Sequence, residues 1–291
     1  MRFRLRPAIL LGVVLAGVAE VALPLSRGLA SGLREGETSS ATVRREGGAV
    51  FLSPAQGARR YHEFYFTRAA YSSSARSRFG FFGGRGAASW AIDYPKADRQ
   101  FMVVLNRLID IDASPYENAI RLDDPDVRRF PFLYALEVGG MTLTDGEVQG
   151  LKNYLAAGGF LVIDDFWGLD EWSVFERQIG RVLPGRPIYE IPTTHPVFNN
   201  VYDVANVIQV PNVRRGQMHG LYGTPTHEGR GSEMPHVYGI DDDRGELMVL
   251  INWNTDLGDA WEWAENPYYP LKFSTYAFEM GINMIVYAMS H

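Results

Sequence analysis

The chain contains no cysteine. This absence excludes disulfide bonds, thiolate metal sites and a cysteine nucleophile. A chain of 291 residues, of which 46% are hydrophobic, is long enough to be stabilised by its core without cross-links.

Long basic runs and the common nucleotide and hydrolase motifs are also missing. The net charge is −6, and phosphate binding needs clustered lysine and arginine, so we expect no nucleic acid partner. No P-loop, Gly-x-Ser-x-Gly or His-Glu-x-x-His is present, and the glycines of residues 80–86 lack the strand-to-helix setting of a dinucleotide site. His219, His227 and His236 do not have the spacing of a zinc motif. The sequence therefore predicts no nucleotide cofactor. A divalent cation is the one candidate cofactor.

The N-terminus has the pattern of an export signal. Arg2, Arg4 and Arg6 precede an apolar run of about 16 residues, which is short for a membrane span of about 20. Gly28-Leu-Ala30 offers small residues at a cleavage site. These features predict a signal peptide over residues 1–30, a flexible linker over 31–48, and a periplasmic or secreted protein. The alternative is an uncleaved N-terminal anchor, which would be the chain's only membrane contact.

Apolar runs and helical stripes alternate along the rest of the chain, which predicts an α/β fold with a mostly parallel sheet. Helices are expected to begin at Pro95, at the capping box Thr144–Glu147 and near Glu171, with a last one carrying Phe278 and Met289. The predicted strands are residues 60–67, 119–122, 132–138, 160–163, 188–191, 207–210 and 247–251. Ligands bind outside the carboxyl ends of the strands in such sheets, so the residues after these strands are the ones to inspect.

Six segments together resemble a known bacterial family. They are Trp90–Asp98, Arg121–Asp124, Phe130–Tyr134, Gly158–Gly168, His195–Phe198 and Asp256–Gly258. The chain resembles the family known only as domain of unknown function 4159. The resemblance implies one domain over residues 49–291 with a glutamine amidotransferase-like, flavodoxin-like three-layer sandwich. It implies no activity, because the amidotransferase nucleophile is a cysteine and this chain has none.

Asp164 and Asp165 are the first candidate site residues, since they follow the buried run 160–163. Carboxylates at a strand end can bind a cation or act as a general base, and two adjacent ones repel when both are ionised. The structural alternative is that Asp165 caps the next helix and Asp164 accepts hydrogen bonds from loop amides. Trp167, in the same turn, is a candidate ligand-binding residue.

A second candidate set combines aromatic rings with carboxylates, which together match a polyol surface. Asp93, Tyr94 and Asp98 lie around the start of the first helix, and Asp256 follows the last predicted strand. All four are predicted to bind ligand. The alternative is structural, since negative charge is favoured at a helix N-terminus and Asp256 lies in a loop.

Two functions are compatible with these residues. In the first, the protein is a non-catalytic ligand-binding or assembly module of the bacterial envelope, with a carbohydrate or an envelope protein as partner. In the second, it is an envelope hydrolase that acts on a carbohydrate-like substrate through Asp164, Asp165 and His195, with or without a metal. The missing nucleophile motifs favour the first.

Overall fold

The computed structural model describes residues 42–46, 49–53, 62–74 and 89–290. Its centre is a seven-stranded sheet in the order β4-β3-β5-β6-β9-β8-β7. The strands are β3 (Thr67–Ala70), β4 (Asn118–Arg121), β5 (Phe132–Leu136), β6 (Phe160–Asp164), β7 (Tyr189–Glu190), β8 (His236–Asp241) and β9 (Leu247–Trp253). The first five strands in this order pair in parallel, whereas β8 and β7 are antiparallel to their neighbours. The predicted α/β fold with a mostly parallel sheet is confirmed.

Helices cover both faces of the sheet and make three layers. They are α1 (Lys96–Leu108), α2 (Asp145–Ala156), α3 (Gly168–Val182), α4 (Val213–Tyr222), α5 (Leu257–Glu262) and α6 (Leu271–Ala288). On one face α1, α5 and α6 contact one another, and on the other α2 contacts α3. Each face buries its own apolar cluster, because successive residues of the central strands point to opposite sides.

Helix α2 begins where the sequence predicts. The Thr144 side chain accepts a hydrogen bond from the Glu147 amide (3.2 Å), and the Glu147 carboxylate accepts one from the Thr144 amide (2.8 Å). Glu147 also accepts hydrogen bonds from the amide and hydroxyl of Ser72. The capping box therefore also ties the helix to the segment that follows β3.

Two predicted strands differ from the structure, and further elements were not predicted. The strand expected at residues 60–67 lies at Thr67–Ala70; Phe64 and Phe66 are fully buried, but they precede the ladder with β4. Residues 207–210 form no strand, since the Val210 amide bonds to the Thr255 side chain rather than to a neighbouring strand. Strand β8 and helix α4 were not predicted, because they lie in a glycine-rich, polar stretch with a weak apolar pattern.

A separate antiparallel hairpin precedes the sheet, formed by β1 (Thr42–Glu46) and β2 (Ala49–Ser53). The linker predicted for residues 31–48 thus includes a strand at its end. The pair Gly47-Gly48 between two short segments is typical of a hairpin sequence. The predicted signal peptide, residues 1–30, lies outside the described residues. Within the described part of the chain, no helix has the length and apolar character needed to cross a membrane.

Candidate functional site

Three loops meet at the carboxyl edge of the sheet, where the neighbouring parallel strands β5, β6 and β9 end. The Glu137 amide donates to the Asp165 carbonyl (3.0 Å), and the Asp165 amide donates to the Thr255 carbonyl (3.1 Å). The Asn254 amide donates in turn to the Phe166 carbonyl (3.0 Å). These backbone bonds hold the residues that follow the three strands in fixed positions relative to one another.

Left-handed backbone conformations concentrate at this edge. Glu137, Asp165 and Asn254 have φ values of 56°, 50° and 60°, and Asp93, in the turn before α1, has a φ of 60°. A non-glycine residue in this region is uncommon, although Asp and Asn tolerate it better than others. Such conformations cluster at binding and active sites, where the surrounding structure maintains them.

Carboxylates from separate parts of the chain converge there. One oxygen from each of Asp93, Asp165 and Asp256 lies within 4.8 Å of the other two. A second group of the same spacing joins Asp93 to Asp259 and Glu262 of α5. Cation–oxygen bonds are about 2.0–2.6 Å long, so two ligands of one ion lie at most about 5 Å apart. Either group is therefore compact enough for its three oxygens to reach a single cation.

Two buried oxygens in this region lack a hydrogen-bond donor. They are Oδ2 of Asp93 and Oδ1 of Asp164, and Asp164 is fully buried. Gly258 permits the close approach of these groups, because a Cβ at this position would lie 2.7 Å from Asp93 Oδ2 and 3.6 Å from both Asp256 Oδ1 and the Tyr134 hydroxyl. A buried polar atom without a partner is costly, so these oxygens indicate a missing positive charge or donor.

Burial and mutual repulsion raise the pKa of every carboxyl group at the centre of the cluster. Burial is the larger cause for Asp93, Asp165 and Asp256, and the charges of the neighbouring acids add to it. Burial also raises the pKa of Asp259 to about 6 and that of Asp164 to about 7. A cluster of this kind keeps protons at neutral pH unless a cation supplies the opposing charge.

The structure shows what the predicted pair Asp164-Asp165 contacts. Asp164 accepts hydrogen bonds from the Tyr134 hydroxyl and from the Leu257 amide (2.9 Å), so it joins β5, β6 and α5. Asp165 does not cap α3. The N-cap residue of this helix is Trp167, whose side chain makes no capping hydrogen bond. Instead, the buried Trp167 donates its indole N–H to Asp165 Oδ1 (2.9 Å) and so orients this carboxylate.

Asp98 lies apart from these acids and pairs with a buried arginine. The Arg68 guanidinium donates to both Asp98 oxygens at 2.5–3.2 Å, and both side chains are fully buried. Burial alone would lower the pKa of Arg68, but Asp98 raises it above its ordinary value. Arg68 also donates to the Ile92 carbonyl (3.0 Å) and stands over the half-buried Tyr94 ring, so this pair supports the turn that presents Asp93.

His195 lies at the opposite edge of the sheet. Its ring is 5.5 Å from that of Tyr287, which packs on Phe160 at the start of β6 and accepts a hydrogen bond from the Leu247 amide at the start of β9. Asp164 and Asp165 follow the other end of β6, a strand of five residues, which spans roughly 13 Å. His195 and the two aspartates therefore do not form one catalytic set.

Neither Glu137 nor Glu262 was singled out from the sequence. Glu137 follows β5 directly, but the strand was predicted to extend to residue 138, so the rule that singled out Asp165 did not reach it. Asp259 and Glu262 follow Asp256 at helical spacing, which is the signal that could have placed all three on one side of a short helix.

A family model described as Domain of unknown function (DUF4159) matches residues 80–289. The chain belongs to this family. The resemblance in the sequence motifs is thus confirmed, while the amidotransferase-like scaffold that it implied stays a prediction. No curated protein matches the chain. For this DUF4159 protein, function is therefore argued from the geometry of the acidic site.

Proposed function

We propose that this DUF4159 domain is a non-catalytic ligand-binding module whose site binds a divalent cation through Asp93, Asp165 and Asp256. The observation that carries the proposal is that Asp93, whose buried Oδ2 lacks a hydrogen-bond donor, belongs to a converged group of carboxylates. An all-carboxylate donor set favours hard cations such as Mg²⁺, Ca²⁺ or Mn²⁺.

The surrounding contacts support a ligand role rather than a capping role. Asp165 is held by Trp167, and Asp256 Oδ1 accepts a hydrogen bond from the Asp259 amide (2.8 Å). Fixing ligand carboxylates with a second layer of hydrogen bonds is typical of metal sites. Asp93 and Glu262 are only half-buried, so these two acidic residues are in contact with solvent.

The alternative, an envelope hydrolase, depended on Asp164, Asp165 and His195 acting together. His195 packs on Tyr287 near the start of β6, whereas the two aspartates lie at the other end of this strand, and this separation argues against that set. Asp164, although its pKa of about 7 suits proton transfer, is fully buried and bonded to Tyr134. The binding role is therefore the better supported of the two.

Thermal melts with and without added cations test the proposal. A ligand that binds only the folded state at 100 times its Kd stabilises by about 2.7 kcal/mol, which for a chain of this size is a rise in Tm of roughly 5–10 °C. Chelator-treated protein should show such a rise with millimolar Mg²⁺, Ca²⁺ or Mn²⁺. No rise with any of the three would refute the cation site.

Asp165→Asn is the matching variant, because Asn also tolerates a left-handed conformation and can accept the Trp167 bond. It should melt no lower than the wild type without cations, since it removes a buried charge among like charges. It should also lose the cation-induced rise. Asp170→Asn is the control: Asp170 is exposed in the first turn of α3, and its replacement should leave the rise intact.

Export to the periplasm or medium, and a carbohydrate or envelope protein partner, form the rest of the proposal. Export is supported by the arginine-rich start, the short apolar run and Gly28-Leu-Ala30, and an envelope partner would follow from that location. N-terminal sequencing of the protein from its native envelope should find a start near Ser31. An intact Met1 in a cytoplasmic pool would contradict export.

A further inference from the structure

We infer that the site holds two cations rather than one, with Asp93 bridging them and with Asp259 and Glu262 completing the second position. This inference rests on the proposed function and deepens it. Asp93 belongs to both groups of converging oxygens, and a carboxylate has two oxygens that can bind two ions. The buried Oδ2 of Asp93 has no donor, so it is free to serve as the bridging ligand.

The geometry places the two positions side by side. Both groups keep their ligand oxygens within 4.8 Å of one another and share Asp93, so the ions would lie about as close as the 3.5–4 Å of known two-metal sites. Asp256 and Asp259 approach Asp93 from the start of α5, where the Asp259 amide bonds to Asp256. One short helix thus carries ligands for both positions.

The charge of the region calls for more than one dication. Besides the five ligand carboxylates, the side chains of Glu137 and Asp164 are buried at the same edge of the sheet. The buried cation of this region, Arg68, is already bonded to both oxygens of Asp98. One dication therefore leaves most of this negative charge uncompensated, whereas two reduce it to a level that the surrounding amides can solvate.

The second position is better suited to a hard dication than to the ammonium group of a lysine. Lys96, the basic side chain beside Glu262, lies over the Trp263 ring at 4.1 Å from its centroid. One oxygen of Asp259 is held by the Val213 amide (2.7 Å), which orients this carboxylate. The second group thus has the fixed ligands and the partial exposure of Glu262 that let an ion enter from solvent.

Mn²⁺ binding to the full chain tests the inference, because Mn²⁺ both counts ions and reports their distance. Isothermal titration calorimetry should give two ions per chain, and electron paramagnetic resonance should show the exchange-coupled signal of a bridged pair. Glu262→Gln should lower the stoichiometry to one and abolish the coupled signal. Glu279→Gln replaces a half-buried carboxyl group on α6 outside the cluster and should leave both unchanged.

The outcomes separate this inference from the proposed function. One Mn²⁺ per chain in the wild type, or two ions with uncoupled spectra, would overturn the bridged pair and leave a single cation site. Two ions bound by Glu262→Gln would also overturn it. No Mn²⁺ binding at all would refute both. Circular dichroism of each variant, which should match the wild type, shows that a lost ion reflects a lost ligand.

Discussion

The fully buried ion pair between Arg68 and Asp98 gives a stability prediction that can be worked out from its contacts. Asp98→Asn removes the charge that faces the guanidinium and leaves one of its three hydrogen bonds without a proper acceptor. Breaking a buried pair from one side costs about 3–5 kcal/mol, because the remaining charge is buried without its partner. We expect a loss near 3 kcal/mol, at the lower end of this range, since the Asn oxygen can still accept the other two hydrogen bonds.

Urea denaturation followed by circular dichroism measures this loss as a lower midpoint at an unchanged slope. The control is Asp123→Asn, which breaks a surface ion pair with Arg121. The Asp123 side chain is 34% exposed and the Arg121 side chain is 41% exposed. Exposed pairs contribute at most about 1 kcal/mol, so the control should lose less than that. The double variant Arg68→Met with Asp98→Leu should recover most of the stability that Asp98→Asn loses.

Equal losses in Asp98→Asn and Asp123→Asn would refute this reasoning. They would mean that the pair near α1 is solvated in solution and that Asp98 is available to a ligand, as its sequence position suggested. A large loss in Asp98→Asn alone supports a structural role for Asp98. The turn that carries Asp93 would then owe its position to Arg68, which bonds to the Ile92 carbonyl.

Three further predictions concern the cap, the site and pH. Thr144→Ala should cost about 1 kcal/mol in the same urea assay, because it removes one half of the capping box on α2; an unchanged midpoint would contradict this. Gly258→Ala should weaken Mn²⁺ binding at least tenfold by calorimetry, since its Cβ would lie 2.7 Å from Asp93 Oδ2, while Gly180→Ala, with open space in α3, should not. Without divalent cations, stability should fall as pH rises from about 4 to 7, because the folded state keeps the proton on Asp164 up to a pKa of about 7 while the unfolded state releases it near pH 4. That shift corresponds to roughly 4 kcal/mol for Asp164, with a smaller loss of the same sign for Asp259, and a melting temperature that rises over this range would contradict it.

Local sequence signals determined much of the fold. The capping box at Thr144, Pro95 before α1 and the apolar run that became β6 each specify a structure within a few residues, so their positions were predicted. The same rules placed Asp165 and Asp256 at one edge, because parallel strands end together. Where the local pattern is weak, as in β8 and α4, prediction failed.

Only the tertiary structure decided which of the acidic residues meet. Asp93 and Asp98 both flank the start of the first helix in the sequence. In the structure, however, Asp98 is paired with Arg68, whereas Asp93 has a buried oxygen without a hydrogen-bond donor. His195 follows β7 in the chain, but it lies near the starting ends of β6 and β9 rather than near their carboxyl ends. The physical reason is that strand order sets these neighbours: β6 lies beside β9, which follows it only after α3, β7, α4 and β8. A residue's own sequence context sets its burial and backbone preference, whereas its partner comes from packing between distant segments.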